Sequence, residues 1–588
     1  MKLLIAHLNK FINQHPNLIA ILLLLVIFFL SVFSMLNDSI TNDESIHIIS
    51  GYTYLDKLDN RLNLEHPPLI KTISAVPLMF LDLNYKFDDI LNFVYKEGNN
   101  PELILFLTRL PIILISLLLG IYLFKWAKLS FGTKPALIAL IFFTFSPNII
   151  AHSRLVTTDM GAITSFFIFL YYFNKFIKKP TITHLLISSA TFGIAQLTKF
   201  SNIILYLLVL LLATILILLR INNNKNLFNY LKKVKNIYIR NILFYITSSL
   251  IIFTIGNFLI WIVYFILSIN MPSEVAAEIL SLQNIENYNI YFLKPILIYS
   301  FQNSFLKPYA LYLLGLGMTF IRVNDGAVVY FFGKLTYGSF WYFYPLSFLI
   351  KTPITTLILL FSSLIIIMSK YYNNIIRNNN IINKTILLIK NNFSEFTFWL
   401  VIIVTFAIGI SANLNIGLRH ILIIYPFIFL LISKYAYKTL TKRPRWIKAI
   451  ILILILWVVL EGIFTFPHYL SYFNQLIGTN KNAYQYTIDS NLDWGQDLKR
   501  LASWVENNDI NRIKVDYGRS QSFHPEYYLG EKYIEWHLDQ GVTKGWIAIS
   551  ATELQTNNFW SPGQSDWLIN NYKPYHIIGK SILIYRVP

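Results

Sequence analysis

The stretch that decides the fold is residues 17–71, NLIAILLLLVIFFLSVFSMLNDSITNDESIHIISGYTYLDKLDNRLNLEHPPLIK, where a long apolar segment runs into a polar, acidic loop. Residues 17–36 are apolar for about 20 positions, enough for a helix to cross a ~30 Å hydrocarbon core. The run is longer than a signal-peptide core and no small-residue cleavage site follows it, so we predict an uncleaved anchor. The basic N-terminus then stays inside, which places the loop after residue 36 outside.

The composition is that of a membrane protein. Of the 588 residues, 55% are hydrophobic and 13% are charged, whereas a soluble protein carries about 25% charged residues. Apolar runs of membrane length recur along most of the chain, so we predict a polytopic α-helical membrane protein with about 11 (roughly 9–13) transmembrane helices. The predicted spans are residues 17–36, 104–124, 135–151, 160–177, 183–198, 201–220, 241–268, 345–369, 396–412, 416–436 and 447–466.

The net charge of +19 is placed as in a membrane protein and not as in a nucleic-acid-binding protein. Lysine and arginine collect in alternate predicted loops that hold no aspartate or glutamate, namely residues 1–16, 125–134, 175–182, 220–240, 370–390 and 434–448. Such loops face the cytoplasm under the positive-inside rule and attract anionic lipid. We therefore predict a multi-pass protein of the cell (inner or plasma) membrane, with a cytoplasmic N-terminus, membrane lipids around it and no nucleic-acid partner.

Two domains are predicted. Residues 1–466 form a transmembrane domain with two long outer loops, 37–103 and 269–344; within the second, residues 309–321 are apolar but short for a span, so they either re-enter the membrane or pack against neighbouring helices. Residues 467–588 have balanced charge and no membrane-length apolar run, which predicts a small extracytoplasmic α/β domain. Its predicted elements are a helix at 498–505 and strands at 513–517, 546–550 and 581–585.

Three acids at the predicted outer face are candidate catalytic groups: Asp43, Glu44 and Asp159. Each has a structural alternative, because Asn42 or Asp43 could cap a helix and Asp159 opens a predicted span. Asp43 and Asp159 lie on turns at the same face of the membrane. Two carboxylates that converge there could act as a general base or, joined by Glu44 or a histidine, hold a divalent metal cation.

Cations near the same face complement these acids. Arg109 lies about two turns inside the second predicted span, where an unpaired charge is costly and often functional, although its side chain could instead extend to the interface. Arg419 with His420, Lys199 and Lys351 fall near the outer ends of other spans. Positive groups at this depth suit a lipid phosphate, which arginine binds bidentately. For Lys199 and Lys351, anchoring at the interface is the better interpretation.

The motif Glu65-His66-Pro67-Pro68 predicts a stiff loop, since each proline fixes its φ angle and His66 is pushed out of the helical region. Such pre-ordering suits a binding loop, but a helix-entry turn explains it equally well. Motifs of soluble enzymes are missing: there is no Walker loop, dinucleotide fingerprint, HExxH or supported GxSxG. Without cysteine the chain has no disulfide, thiolate nucleophile or cysteine metal site.

Taken together, these motifs resemble the polyprenyl-phosphate-dependent glycosyltransferases of the GT-C membrane fold, in the protein O-mannosyltransferase and aminoarabinose-transferase superfamily. The resemblance lies in NDESIHIISGYTYL (42–55), RLNLEHPPLIK (61–71), TRLPIILISLLLGIYLFKWAKLSFG (108–132), FSPNIIAHSRLVTTDMGA (145–162) and LNIGLRHILIIYPF (414–427). Two later segments, HYLSYFNQLIG (468–478) and DSNLDWGQDLKRLA (489–502), resemble bacterial members with an outer terminal domain.

The resemblance implies an inverting glycosyltransferase that moves a sugar from a polyprenyl-phosphate donor to an acceptor hydroxyl of a protein, lipid or glycan outside the cytoplasm. By matching position, Asp43 is implied as the base that deprotonates the acceptor. Asp159 resembles the second acid, which in some members helps to hold a divalent metal, so Asp43 and Asp159 are the implied ligands if a metal is used. Arg109 matches the arginine that meets the donor phosphate.

The same resemblance places Glu65, His66 and Lys71 in the loop that lines the site. His66 stands where the aminoarabinose branch has lysine, which favours a hexosyl or mannosyl donor. Lys71 and Arg419 are further candidates for binding the donor phosphate. The segment Trp494–Asp497 could contact the acceptor, but a role in domain packing is favoured over that one.

Two alternative functions stay open. A transporter or flippase for lipid-linked sugars would keep ionisable groups at mid-membrane and have repeated halves, for which Glu461 is the nearest candidate. Aminoarabinose-type transfer to lipid A is the other alternative. A non-catalytic relative would have lost the acids, yet Asp43 and Asp159 are both present.

Overall fold

The computed structural model describes residues 10, 12–85, 92–96, 98–219, 227–283, 292–375, 381–478, 480–520 and 522–588. Helices dominate up to residue 464, and a small mixed sheet lies between residues 513 and 587. The predicted fold class, a polytopic helical membrane protein with a small α/β region at its C-terminal end, is confirmed.

The helices up to residue 464 are α1 Pro16–Met35, α2 Asn42–Asp56, α3 Leu69–Ala75, α4 Pro101–Phe131, α5 Thr133–Thr144, α6 Pro147–Ser153, α7 Asp159–Lys178, α8 Ile182–Gln196, α9 Ile204–Leu218, α10 Ile237–Leu267, α11 Ser273–Leu282, α12 Leu293–Phe301, α13 Lys307–Asp325, α14 Phe343–Lys351, α15 Ile354–Ile375, α16 Ile381–Asn391, α17 Phe393–Ser411, α18 Tyr425–Lys442 and α19 Arg445–Phe464. Short 3₁₀ turns lie at Val76–Phe80, Phe200–Ile203, Asn229–Lys233 and Leu418–Ile424. Local sequence explains several starts: Asn100, Thr181 and Asn236 accept a hydrogen bond from the first turn of α4, α8 and α10.

Eight helices within the described residues are long and apolar enough to cross a membrane, and two bent pairs, α5 with α6 and α14 with α15, raise the number to ten if each pair is one span. One of the eleven predicted spans, residues 183–198, is not among these ten and falls on α8. That helix has only 15 residues, or about 22 Å of rise. It still runs back along α7, because Lys199 just beyond it contacts Asp159 at the start of α7.

Two spans form the centre of the bundle. In α7 83% of the apolar window is buried, and in the span Leu418–Lys442 78% is buried, against 28% in α1 and 22% in α19. The central spans begin with Asp159 and Leu418-Arg419 respectively. Two of the predicted site residues therefore stand at the same end of the bundle, on its most enclosed helices.

The loop that carries the acid pair is packed tightly against this end. Helix α2 lies against α3 with no room between them, since a Cβ at Gly51 would collide with the carbonyl of Lys71. In the second long loop, the apolar residues 309–321 are part of α13, which packs along α10. A hairpin follows it that the sequence did not predict, formed by β1 Ala327–Phe331 and β2 Lys334–Gly338.

The terminal region, residues 467–588, contains a five-stranded sheet in the order β4-β3-β5-β7-β6. Its strands are β3 Ile513–Asp516, β4 Tyr533–Glu535, β5 Gly545–Ser550, β6 His576–Ile578 and β7 Ile582–Val587, and its helices are α20 Leu498–Asn507, α21 Pro525–Leu529, α22 Ala551–Trp560 and α23 Asp566–Asn571. Strand β3 pairs in parallel with β4 and β5, and β7 pairs antiparallel with β5 and β6. The three predicted strands and the predicted helix match β3, β5, β7 and α20; the three-residue strands β4 and β6 are too short to show a period.

Candidate active site

The structure brings Asp43 and Asp159 together around Arg419. Arg419 Nη1 lies 2.8 Å from Asp43 Oδ2 and 3.6 Å from Asp159 Oδ2. Lys199 Nζ donates to Asp159 Oδ1 at 2.6 Å, so Lys199 belongs to this cluster. The four side chains form a chain of alternating charges, Asp43–Arg419–Asp159–Lys199, whose formal sum is zero.

The two acids of the cluster differ in access. Asp43 stands in the first turn of α2, with Thr41 as the N-cap residue, and its side chain is 24% exposed. Asp159 is the first residue of α7 and its side chain is 1% exposed. A carboxylate in the first turn is favoured by the helix dipole at either position. Only Asp43 of this pair is therefore open to a substrate.

Glu44 is turned away from the cluster and forms a buried ion pair with Arg109, at 2.8 Å (Nε–Oε1) and 2.6 Å (Nη2–Oε2). The Glu44 carboxylate also accepts the backbone N–H groups of Thr41 and Val156, both at 2.9 Å. Arg109 further donates to three backbone carbonyls, those of Met35, Asp38 and Ser39. Both side chains are satisfied and inaccessible, at 0% and 2% exposure.

This arrangement bears on two of the predicted roles, which stay predictions. Glu44 was predicted as a catalytic group and Arg109 as a ligand of the donor phosphate. Since each neutralises the other, and since the pair joins the loop before α2 to the turn at Val156, both are better described as structural groups behind the site.

Lys71 is likewise placed inside the loop and not in the site. Its ammonium group donates to the carbonyls of Asn63 and His66 at 2.7 and 2.9 Å and to the hydroxyl of Tyr54 at 2.9 Å. The side chain is buried, and burial lowers the pKa of Lys71 well below its ordinary value. The predicted contact of Lys71 with a phosphate is at odds with this position, and holding the 63–66 turn in shape accounts for its bonds.

His66 lies close to the cluster, and the lining role of Glu65 stays a prediction. The rings of His66 and His47 meet edge to face at 5.2 Å, and His47 Nδ1 bonds the carbonyl of Val156 at 2.9 Å. The side chains of Glu65 and His66 are partly exposed, and the carbonyl of Glu65 accepts from Thr319 of α13 at 2.9 Å. Burial lowers the pKa of His47 to about 4, so this ring is neutral near pH 7.

Several buried polar atoms around the cluster have no hydrogen-bond partner among the described residues. They are Asp159 Oδ2, Arg419 Nε, His420 Nε2 and His152 Nδ1. Buried polar groups are paired in the great majority of cases. Four atoms without a hydrogen bond around one cluster leave capacity there for a polar ligand or for water.

Trp494 of the terminal region covers Arg419, with the guanidinium carbon 4.2 Å from the ring centroid. Sequence reasoning favoured a domain-packing role for this residue, and Trp494 does belong to the main apolar core and is 5% exposed. Its contact with Arg419 could not be foreseen, because no local pattern links residue 494 to residue 419. Lys351, by contrast, is directed at the carbonyls of Leu470 and Asn491.

The cluster does not suit a divalent cation as predicted for Asp43 and Asp159. Both carboxylates are already turned toward Arg419, and Asp159 is also bonded by Lys199. Within the described residues no group of three or more His, Asp or Glu is arranged to hold a metal. A metal ligated here would have to displace two cations.

The fold and the site together define a class: a multi-pass helical membrane protein with an acidic and basic cluster at one end of its helix bundle, next to a folded terminal region. Residues 105–232 of the chain match the family model described as dolichyl-phosphate-mannose-protein mannosyltransferase. The family resemblance predicted from the motifs is thereby confirmed in that segment, which contains Arg109, Asp159 and Lys199.

The chain is also similar to solved membrane-protein structures at low sequence identity. The oligosaccharyltransferase of Archaeoglobus fulgidus in its apo form shares 10% identity over 94% of this chain and 71% of its own, with a TM-score of 0.49. Its complex with an inhibitory peptide and a dolichol-phosphate shares 10% identity over 98% of this chain and 75% of its own, with a TM-score of 0.47. ArnT from Cupriavidus metallidurans bound to undecaprenyl phosphate shares 11% identity over 96% of this chain and 97% of its own, with a TM-score of 0.32. A comparison with curated proteins gives no match.

Proposed function

We propose that the protein is an inverting glycosyltransferase that moves a sugar from a polyprenyl phosphate to a hydroxyl group of a protein, lipid or glycan at the outer face of the membrane. The observation that carries the proposal is the contact between the accessible carboxylate of Asp43 and the guanidinium of Arg419. Asp159 links this arginine to a second cation, Lys199. A base beside a group of phosphate-binding cations is what this reaction needs. The family model matched by residues 105–232 supports it.

Asp43 acts as the general base in this proposal. The acceptor O–H donates to the Asp43 carboxylate, and its oxygen attacks the anomeric carbon of the donor from the face opposite the phosphate. The carbon–oxygen bond to the phosphate breaks with its electron pair, and the proton stays on Asp43. A positioned base of this kind contributes about 10²–10⁴-fold to the rate.

Arg419 and Lys199 hold the leaving phosphate. Arg419 Nε has no partner among the described residues, and the Nε edge of a guanidinium can bind two phosphate oxygens side by side. Lys199 is 12% exposed and its ammonium carries further N–H groups beyond the one given to Asp159. The two cations stabilise the negative charge that grows on the phosphate as the bond breaks.

Asp159 keeps these two cations in place. It is almost fully buried and lies between Arg419 and Lys199. A buried carboxylate at this position offsets part of their mutual repulsion and fixes both side chains before the donor arrives. In this proposal Asp159 is a positioning residue.

We further propose a hexosyl or mannosyl donor and an outward-facing site. The description of the family model supports mannose, and His66 in place of lysine argues against an aminoarabinose donor. The basic loops support the orientation, because the cluster lies at the opposite end of α7 from Lys175 and Lys178.

A transporter is less well supported. Within the described spans the acids are Glu102, Asp159, Glu395 and Glu461, and each lies within a few residues of a helix end. Glu395 is bonded by Lys434 and Tyr435, and Glu461 by Tyr472 and Gln475. Ion-coupled transport uses charged groups near the middle of the membrane, and these acids do not supply them.

The test is a transfer assay in membranes that contain the protein. A radiolabelled polyprenyl-phosphate mannose is supplied with a peptide, lipid or glycan acceptor, and Asp43→Asn is compared with the wild type. We expect a loss of at least 100-fold, in line with the loss of a general base. Asp56→Asn is the matched control, since Asp56 is on the same helix but bonds Tyr85 and Lys57 at the surface.

Transfer by Asp43→Asn at the wild-type rate, with equal amounts of protein in the membrane, would remove Asp43 as the base. Replacing the labelled donor by polyprenyl-phosphate glucose or aminoarabinose tests the sugar. Faster transfer of aminoarabinose than of mannose would reject the hexosyl donor while leaving the reaction class intact.

A further inference from the structure

One segment of the terminal region, residues 489–496, contacts both the chain next to Asp43 and the side chain of Arg419. Asp43 is in the first turn of α2 and Arg419 is in the 3₁₀ turn before α18, and these two elements are far apart in the chain. The segment lies across them. We refer to residues 489–496 as the brace.

The end of the brace near residue 496 is bonded to the chain that leads into Asp43. The backbone N–H of Asn42 donates to the carbonyl of Trp494, and the N–H of Ser39 donates to the carbonyl of Gln496, both at 3.0 Å. The hydroxyl of Ser39 donates to the carbonyl of Gly495 at 2.6 Å. Gly495 has a φ of +106°, a conformation that favours glycine and brings its backbone against this loop.

The start of the brace is bonded to the turn that carries Arg419. The N–H of Leu418 donates to Asn491 Oδ1 at 2.9 Å, and the hydroxyl of Ser490 donates to the carbonyl of Ile416 at 2.9 Å. Gly417 lies so close to Ser490 that a Cβ there would collide with its hydroxyl. Both backbone neighbours of Arg419 on this side are therefore fixed by the brace.

Trp494 combines the two sets of contacts. Its carbonyl binds Asn42, the residue before Asp43, and its ring lies 4.2 Å from the guanidinium carbon of Arg419. The ring is 5% exposed, so the contact is shielded from water. A cation–π contact shielded from water in this way is stronger than one at an exposed site.

We propose that Trp494 is a positioning residue for Arg419: it holds the guanidinium at the distance from Asp43 at which the donor phosphate binds. An aromatic face suits this task because it stabilises the cation without an anion. The proposal rests on the function proposed above, because it assigns Arg419 to the donor phosphate.

The test measures binding and not only transfer. Purified protein in detergent is titrated with undecaprenyl phosphate as the probe, for the wild type, Trp494→Leu and Trp494→Phe. We expect Trp494→Leu to raise the Kd about 10-fold or more, and Trp494→Phe to recover part of the loss because it keeps an aromatic face. Trp560→Leu, which removes a tryptophan that is 69% exposed, is the control and leaves the Kd unchanged.

A second comparison separates positioning from general damage. In the background of Arg419→Gln, the change Trp494→Leu is expected to have less than a 2-fold effect on the Kd, since the cation that it positions is gone. Equal loss with and without Arg419 would show a structural role and overturn the proposal. So would a Trp494→Leu protein that elutes as the wild type does and binds the probe equally well.

The two proposals fail in different ways. If the wild type does not bind undecaprenyl phosphate at all, the proposed function is wrong and the positioning role falls with it. If the wild type binds the probe and transfers sugar, but Trp494→Leu does both at the wild-type level, only the positioning role is wrong.

Discussion

The buried pair of Glu44 and Arg109 allows a quantitative test of the distinction between structural and phosphate-binding arginines. In the variant Arg109→Gln, Glu44 keeps its two backbone donors but loses its counter-charge at 0% exposure. Removing one partner of a buried ion pair costs about 3–5 kcal/mol. The upper end applies here, because Arg109 also bonds the carbonyls of Met35, Asp38 and Ser39.

A cost of this size corresponds to a roughly 100- to 5,000-fold decrease in the ratio of folded to unfolded protein. The assay is thermal unfolding of the purified protein in detergent, followed by the folded fraction in size-exclusion chromatography. The control is Arg519→Gln, which breaks a surface pair with Asp539 at 69% exposure of the arginine and is expected to change little. The double variant Glu44→Gln/Arg109→Gln is expected to recover part of the loss, because no buried charge is left unpaired.

An Arg109→Gln protein that is as stable as Arg519→Gln and yet fails to bind undecaprenyl phosphate would contradict the structural role of Arg109. Arg109 would then be a ligand of the phosphate, as the family resemblance implies. Loss of stability with unchanged phosphate binding in the surviving folded protein would support the structural role.

Three further predictions concern the surroundings of the cluster. Because burial lowers the pKa of His47 to about 4 from the ordinary 6.5, its contribution to stability is present above pH 6.5 and is lost as the pH falls toward 4. The loss is about 3 kcal/mol, and His47→Gln is expected to flatten the fall of the unfolding temperature over that range; an equally steep fall would contradict it. Lys71→Met removes the bonds that hold the 63–66 turn, so trypsin is expected to cut faster at Arg61 while the Kd for undecaprenyl phosphate stays within about 2-fold; a large rise in Kd would return Lys71 to the phosphate. Since two cations already balance Asp43 and Asp159, thorough treatment with a chelator is expected to leave transfer unchanged, and a loss restored by Mg²⁺ or Mn²⁺ would show that the cluster rearranges to take a metal.

The convergence of Asp43 and Asp159 could be predicted from the sequence, because both stand on turns at the face opposite the basic loops. Topology alone brings such turns to one end of a helix bundle. Arg419 was within reach of the same reasoning, since it too opens a span at that end. The interpretation of Lys199 as an interface anchor was incomplete, because its partner Asp159 lies on the neighbouring helix.

The division of roles between Asp43 and Glu44 could not be predicted. Consecutive residues of a helix point about 100° apart, so adjacent acids face different surroundings, and the sequence does not say which faces the site. The partner that decides the matter for Glu44 is Arg109, on a helix whose distance from α2 depends on packing. Family position pointed at Arg109, whereas in the structure the partner of Asp43 is Arg419.

Trp494 illustrates a different limit. It follows the last span, in a segment with no helical or strand period, and its neighbours in space come from both ends of the transmembrane part. Packing in the core and contact with Arg419 are both true of its ring. Packing in the core therefore does not exclude a contact with a residue of the cluster, and the sequence shows neither partner.

The brace also bears on how the protein can be recombined. A chimaera that joined this membrane part to the terminal region of a relative would import foreign residues at 489–496, against a loop and a turn that had been matched to other side chains. The seam would then run through the reaction centre and not through a linker. An exchange that keeps activity has to carry residues 39–43 and 416–419 together with the brace. These three segments are distant in the sequence but form one set of contacts, so they have to be exchanged as a group.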